Sequence, residues 1–217
     1  LALDTGRVKP DTLIETAPGH MTIGSATIHD AHRQGTLTVA GVIQKSSNIG
    51  TAKMALQMPP QEMWEMFATL GFGQQPKIGF PGAVAGRMRN FKTWKPIEQA
   101  TMSYGHGLSV SLLQIARAYM IFARKGDMIP LTFQQSTAMP VGTRVVSEKT
   151  AMQMREMLES VTQPGGTATK ARVPGYRVAG KTGTAHKIEH GKYVNKYIGD
   201  FVGFAPVSNP RIIVAVI

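Results

Sequence analysis

The chain has 217 residues, of which 42% are hydrophobic and 17% are charged, and it carries a net charge of +11 with no cysteine. This composition is that of a folded protein with a substantial core and excludes a disordered chain. Without cysteine there can be no disulfide, no thiolate zinc site and no cysteine nucleophile. No apolar run is long enough to span a membrane.

The first residues predict the last turn of a helix, because Leu1–Gly6 ends in a glycine suited to a C-cap. The last six residues form an apolar, strand-like run. We therefore expect the chain to be a piece of a longer protein, cut at both ends. Residues 7–36 are rich in turn formers and predict at most short strands around Met21–Ile28.

Apolar residues at helical spacing, bounded by capping residues, predict the next elements. The predicted helices are Val39–Gln44, Ile49–Gln57, Gln61–Leu70, Ile97–Met102, Ser111–Lys125 and Glu148–Val161. Residues 71–95 contain many glycines and prolines and predict an extended surface segment. Tyr104-Gly105-His106-Gly107 predicts a bend between two helices, where His106 can face a cleft.

The final third of the chain predicts strands at Tyr176–His186, Tyr193–Pro206 and Arg211–Ile217. Turn residues separate them at 189–191 and 208–210. Helices first and hairpin-linked strands last indicate an α+β fold, with an antiparallel sheet flanked by helices.

The tetrapeptide Lys181-Thr182-Gly183-Thr184 opens the first of these strands. The Lys181 ammonium and the Thr182 hydroxyl can hold a carboxylate together. Gly183 has no Cβ, so a substrate backbone can lie against the strand. The backbone N–H of Thr184 can point at a developing oxyanion. The alternative is that four common residues simply begin a strand.

A second motif, Ser46-Ser47-Asn48, lies between two predicted short helices. Ser46 can relay a proton to a leaving amine, and Asn48 can hydrogen-bond a substrate amide and a catalytic lysine. Taken alone the motif is more typical of helix capping than of a catalytic site. The order of the two motifs, with S-x-N well over a hundred residues before K-T-G, favours a shared site.

Two further features suggest binding sites but lack support. His29-Asp30-Ala31-His32 has a metal-like spacing without a third ligand, so no metal and no cofactor are expected. A basic patch would suit a polyanion, but no nucleic-acid motif or aromatic strip accompanies it, so no nucleic-acid partner is expected. Its members are Lys170, Arg172, Arg177, Lys181, Lys187, Lys192 and Lys196.

Four stretches together resemble the transpeptidase domain of class B penicillin-binding proteins, most closely the septal, FtsI-like type. S-x-N and K-T-G are two of the three motifs that mark serine penicillin-binding proteins and serine β-lactamases. The resemblance covers nearly the whole chain and is carried by Leu37–Leu56, Thr101–Tyr119, Tyr176–Lys187 and Asn195–Pro210.

The resemblance implies a five-stranded antiparallel sheet flanked by helices, in the penicillin-binding/β-lactamase-like fold. It assigns Ser46, Asn48 and Lys181 to catalysis, and Thr182, Gly183 and Thr184 to substrate binding. The implied reaction is peptidoglycan D,D-transpeptidation during cell division: a serine attacks a D-Ala-D-Ala stem peptide and passes the acyl group to a neighbouring amine. β-Lactams acylate the same serine.

The third family motif, S-x-x-K, does not occur in the chain. The resemblance places that nucleophile helix just upstream of Leu1, with a non-catalytic domain and a membrane anchor further upstream. Residues 1–217 are thus expected to be a partial transpeptidase domain that is inactive alone. The implied location is the periplasmic face of a bacterial inner membrane, beside divisome proteins that include a glycosyltransferase.

Two other readings stay open. A β-lactam-hydrolysing or carboxypeptidase relative would need a carboxylate or a modified lysine to activate water. A non-catalytic penicillin-sensing domain would need the binding pocket without turnover.

Overall fold

The structure, a computed structural model, describes residues 1–135, 137, 140–189 and 192–217, with the backbone alone for 186, 188, 189, 192 and 193. It confirms the α+β class, with helices over the first two thirds and hairpin-linked antiparallel strands at the end. The predicted turn at 189–191 contains His190 and Gly191, which lie outside the described residues.

The chain begins with a single helical turn that ends at Gly6. Gly6 has a φ of +71°. The Arg7 N–H donates to the Ala2 carbonyl at 3.0 Å, and the Gly6 N–H donates to the Leu3 carbonyl at 3.1 Å. This pair of bonds is the Schellman arrangement, which confirms the predicted glycine C-cap.

Six α-helices are found in the described part of the chain, close to the predicted bounds. They are α1 (Val39–Lys45), α2 (Asn48–Ala55), α3 (Pro60–Thr69), α4 (Pro96–Met102), α5 (Leu112–Ala123) and α6 (Glu148–Thr162). Side chains at the N-caps accept backbone N–H groups that would otherwise lack partners. Thr38, Ser47, Ser111 and Ser147 serve in this way for α1, α2, α5 and α6.

Short strand pairs surround the helices. The predicted strands near Met21–Ile28 are the hairpin β2 (His20–Ile23) and β3 (Ala26–His29). Two further pairs were not predicted: β1 (Leu13–Glu15) with β4 (Thr36–Thr38), and β5 (Asp127–Met128) with β6 (Thr143–Arg144). Strands of two or three residues are too short to carry an alternating pattern, so pairing across the fold creates them.

The main sheet has the order β7-β8-β9, all antiparallel, within the residues described. Its strands are β7 (Ala179–Glu189), β8 (Lys192–Ala205) and β9 (Ile212–Val216). The family resemblance implied five strands, whereas three are present in this part of the sheet. Helices α5 and α6 lie against it, and Leu158, Ala179 and Phe204 form the core between them.

Residues 71–95 run over the surface as predicted, with one 3-10 turn at Phe91–Thr93. The amide of Gln114, at the start of α5, holds the beginning of this segment. It donates to the carbonyls of Gly71, Gln74 and Ala85 at 2.9–3.0 Å. Gln114 is only 1% exposed, so these bonds compensate for its burial.

Candidate active site

The junction between α1 and α2 presents Ser46. This residue is the C-cap of α1 and adopts the left-handed conformation, with φ 58° and ψ 46°. A non-glycine residue in this region is uncommon and is found where the surroundings enforce it. The conformation reverses the chain between the two helices and leaves the Ser46 side chain on the rim of a cavity.

The strand β3 and its following residue hold the rest of the motif in place. The Asp30 carboxylate accepts the Ser47 hydroxyl at 2.7 Å and the Ile49 N–H at 3.0 Å. The Asn48 amide donates to the His29 carbonyl at 2.9 Å. All three motif residues line the cavity, but Ser47 is 3% exposed and caps α2, so its hydroxyl serves the structure.

The second motif meets the first across the cavity. Lys181, the third residue of β7, donates from Nζ to the Ser46 hydroxyl at 2.8 Å and to the Thr182 carbonyl at 2.9 Å. The Thr182 and Thr167 hydroxyls lie 2.9 Å apart. The prediction that the two motifs converge on one pocket is confirmed by this contact.

Strand β7 is at an edge of the sheet, because β8 is its one strand partner among the described residues. Gly183 pairs with Asp200 and Thr184 with Gly199. Thr184 is exposed. The open edge of β7 therefore borders the cavity and can accept an extended peptide as an additional strand.

The cavity has a volume of about 670 Å³ and two kinds of wall. One wall is polar and basic, and no described acidic side chain lines the cavity. The polar and charged lining residues are His32, Lys45, Ser46, Ser47, Asn48, Thr51, Ser103, Tyr104, His106, Thr167, Lys181, Thr182 and Thr184. The other wall is an apolar floor from α1, α5 and α6, formed by Val42, Ile43, Tyr119, Phe122, Met154 and Leu158.

Burial changes the acidity of the groups around the cavity. Desolvation lowers the pKa of Lys181 to about 8, and the negative charge of Asp200 opposes that fall. Burial raises the pKa of Asp200, while Lys181 and the Gly183 N–H act against the rise. Burial also raises the pKa of Tyr104 and of Tyr119, and nearby acidic groups add to both shifts. Lys181 can therefore bind an anion as a cation at pH 7 and release its proton in mildly alkaline solution.

The predicted bend at Tyr104–Gly107 brings His106 to the cavity, in an edge-on ring contact with Tyr104 at 5.6 Å between centroids. His29 lies in β3, where its ring meets that of His20 at 6.0 Å. Among residues with a described placement, no group of three or more His, Cys, Asp or Glu side chains could hold a metal.

Most of the predicted basic patch lies on exposed surface outside the cavity. Among the members whose side chains are described, Lys181 lines the cavity. Arg177 makes a two-pronged ion pair with Glu159, with both distances 2.6 Å. The Lys192 side chain is outside the described residues.

Three residues that contact the motifs were not predicted from the sequence. They are Asp30, Thr167 and Asp200. Asp200 could have been noticed in the sequence, because it is a lone acidic residue on the same strand face as the buried Val202 and Phe204. Asp30 directly follows a strand, and Thr167 carries no local signal.

The sequence profile described as the penicillin binding protein transpeptidase domain matches residues 1–217. The chain belongs to the penicillin-binding protein transpeptidase family. Its fold agrees with the apo structure of the TP domain of Burkholderia pseudomallei penicillin-binding protein 3. The TM-score is 0.95 at 57% identity, over 99% of this chain and 66% of that one.

Relatives with assigned names are similar along the full chain. The probable peptidoglycan D,D-transpeptidase PenA of Neisseria flavescens is 47% identical over 99% of this chain. The peptidoglycan D,D-transpeptidase FtsI of Escherichia coli K12 is 39% identical over 100% of it. The chain spans 54% of the length of the first protein and 37% of the second. No described helix is both long and apolar enough to cross a bilayer.

Proposed function

We propose that this chain forms the greater part of the catalytic domain of a septal peptidoglycan D,D-transpeptidase, a serine acyltransferase that β-lactams inhibit. The observation that carries the proposal is the 2.8 Å contact between Lys181 and Ser46, which are 135 residues apart in sequence. The names of the PenA and FtsI relatives support the reaction class.

In this proposal the cationic wall binds the terminal carboxylate of a D-Ala-D-Ala stem peptide. Lys181 supplies the charge and Thr182 the hydroxyl, while the open edge of β7 aligns the peptide through Gly183. The Thr184 N–H stabilises the tetrahedral oxyanion. Ser46, in contact with the Lys181 ammonium, relays a proton to the leaving amine.

The attacking serine of this mechanism must come from outside the 217 residues, because they contain no S-x-x-K. The apolar floor of the cavity offers a surface on which a helix carrying that motif would pack, with its polar face toward Lys181 and Ser46. Asn48, on the rim, would then bind the substrate amide and the lysine of that helix.

We expect acyl transfer to prevail over hydrolysis at this site. A hydrolase that activates water with a carboxylate needs that group beside the acyl-enzyme. No acidic side chain lines the cavity in the described part of the chain. In this proposal an amine acceptor intercepts the acyl-enzyme faster than water does.

The proposed setting follows from the same assignment. The substrate would be wall peptidoglycan, on the periplasmic face of the inner membrane, and the partners would be divisome membrane proteins that include a glycosyltransferase. Pull-down of the intact protein from dividing cells, compared with cells blocked before septation, would test the septal role.

Covalent labelling by a fluorescent penicillin tests the activity. We expect no labelling of residues 1–217 alone, and stoichiometric labelling of the protein extended upstream through S-x-x-K. The extended protein should also release D-alanine from a D-Ala-D-Ala peptide when an amine acceptor is present.

Two lysine variants of the extended protein make a matched pair. Lys181→Met should reduce the labelling rate by about 100-fold or more, since it removes a preorganised charge at the reacting centre. Lys149→Met removes the same charge from an exposed helix position and should leave the rate unchanged. Equal rates in the two variants, or labelling of the isolated chain, would contradict the proposal.

A further inference from the structure

Asp200 lies behind Lys181 on the next strand of the sheet. It pairs with Gly183, while Lys181 pairs with Val202. Because side chains alternate along a strand, Lys181, Gly183 and Asp200 share the sheet face that packs on α5 and α6. Val202 and Phe204 on that face are buried, so an acidic residue among them is unusual.

The Asp200 carboxylate occupies the space that a side chain at position 183 would need. A Cβ added to Gly183 would lie 2.5 Å from each carboxylate oxygen and 2.8 Å from Cγ. Real Cβ atoms essentially never approach other atoms so closely. The motif glycine therefore has a structural role, in addition to any contact with substrate. Because it has no side chain, the Asp200 carboxylate can pack directly against its backbone.

The Lys181 ammonium does not donate a hydrogen bond to the Asp200 carboxylate. Among the described residues, the ion pairs with N–O distances up to 4.0 Å do not include Lys181 with Asp200. The ammonium instead donates to Ser46 and to the Thr182 carbonyl. The carboxylate thus acts on the lysine through its electric field, from more than 4.0 Å away.

We propose that Asp200 is a positioning residue for the transpeptidase reaction. Packed against Gly183, Asp200 keeps the half-buried Lys181 ammonium protonated. It accepts none of the ammonium's hydrogen bonds, so these remain available to Ser46 and the substrate carboxylate. This inference depends on the proposed function. By holding Lys181 in its charged form, Asp200 extends the working pH range upward. Its own negative charge repels the substrate carboxylate, which weakens binding wherever Lys181 would be protonated without it.

The direction of the electrostatic effects agrees with this role. Desolvation lowers the pKa of Lys181 to about 8, and Asp200 raises it against that effect. Removing the carboxylate would therefore let Lys181 lose its proton at a lower pH. The other titratable groups around Lys181 come from α5, α1 and the cavity rim: Tyr119, Lys45, His32, Tyr104 and His106. Unlike Asp200, none of them carries a negative charge at neutral pH.

The test is the pH profile of acylation by a fluorescent penicillin, measured on the extended protein between about pH 6 and pH 9.5. In Asp200→Asn, which preserves shape, the midpoint of the alkaline limb should move down by about one pH unit. The rate at pH 6 should stay within about twofold of wild type or rise, since the repulsion is gone. Asp11→Asn, an exposed control, should keep the wild-type profile.

Each outcome decides between roles. An unchanged alkaline midpoint, or an equal loss of rate at every pH, would overturn the proposal, since a purely structural residue would act in that way. Asp200→Ser provides a second neutral variant, and failure of both variants to fold would also assign Asp200 a structural role. If the wild-type extended protein is not acylated at all, the proposed function fails instead.

Discussion

Replacing Asp30 tests how the S-x-N motif is held. Asp30→Ala removes the acceptor of two hydrogen bonds, from the Ser47 hydroxyl at 2.7 Å and the Ile49 N–H at 3.0 Å. Bonds to a charged acceptor contribute about 1.5–3 kcal/mol each, and two bonds to one half-exposed carboxylate are not additive. Ser47 and Ile49 are 3% and 1% exposed, so water cannot readily replace the lost acceptor. We expect the free energy of unfolding to fall by about 3 kcal/mol.

The same change should slow acylation. Without Asp30, the turn that carries Ser46 and Asn48 keeps its bond to the His29 carbonyl but loses the two bonds to the Asp30 carboxylate. Misplacement by about 1 Å can cost 100-fold in rate. We expect a loss of about 10- to 100-fold in penicillin labelling by the extended protein. Asp30→Asn should lie between wild type and Asp30→Ala, because its amide oxygen still accepts one of the two bonds.

Urea unfolding followed by circular dichroism measures the stability effect, with the exposed Asp11→Ala as the matched control. Combining Asp30→Ala with Ser47→Ala completes a double-mutant cycle. The coupling energy should be about 1 kcal/mol or more. A loss within 0.5 kcal/mol of the control, the range of ordinary surface changes, or a coupling near zero, would refute the reasoning.

Three further predictions concern the sheet and the cavity. Gly183→Ala should lower the free energy of unfolding in urea by about 1–3 kcal/mol, because the added Cβ overlaps the Asp200 carboxylate. Combining it with Asp200→Ala should relieve most of that loss. An equal loss with and without Asp200→Ala would contradict the overlap. Arg155 is 4% exposed and donates to three backbone carbonyls at the end of α5 and after β8, so Arg155→Met should lower unfolding free energy by about 2–4 kcal/mol. A loss below about 1 kcal/mol would show that these bonds contribute little. The pKa of Lys181 is lower in the fold than in the unfolded chain, so unfolding takes up a proton between about pH 8 and pH 10.5 and stability rises across that window. Lys181→Met should therefore be more stable than wild type at about pH 7 and lose this advantage above about pH 10. If Lys181→Met is less stable than wild type at about pH 7, the prediction is wrong.

Local signals predicted the helices well, and the reason is visible at their ends. Thr38 and Ser147 directly precede predicted helices and Ser111 begins one, and each accepts a backbone N–H at the start of its helix. These interactions span three residues, so the information lies within a short stretch of sequence. The three strands of the main sheet were predicted for a similar reason, since turn residues at 189–191 and 208–210 separate the strand-like runs.

The sequence predicted the motif residues of the candidate site, but not the residues that hold those motifs in place. Ser46, Asn48 and Lys181 belong to motifs that can be read along the chain. Asp30, just after β3, and Asp200, in β8, act on those motifs from elsewhere in the fold, and no spacing in the sequence connects them to the motifs. The interpretation of Gly183 was also incomplete, since the sequence suggested an open approach for substrate while the fold places a carboxylate there.

The sequence by itself determined the α+β class, the helix and strand order and the motif residues, because propensity, capping and alternation are encoded within a few neighbouring positions. Only the tertiary structure decided that the Lys181 ammonium reaches Ser46 and that Asp200 rests on Gly183. Such contacts join residues far apart along the chain. They depend on how α1, α6 and the sheet pack around one core, which no local pattern specifies.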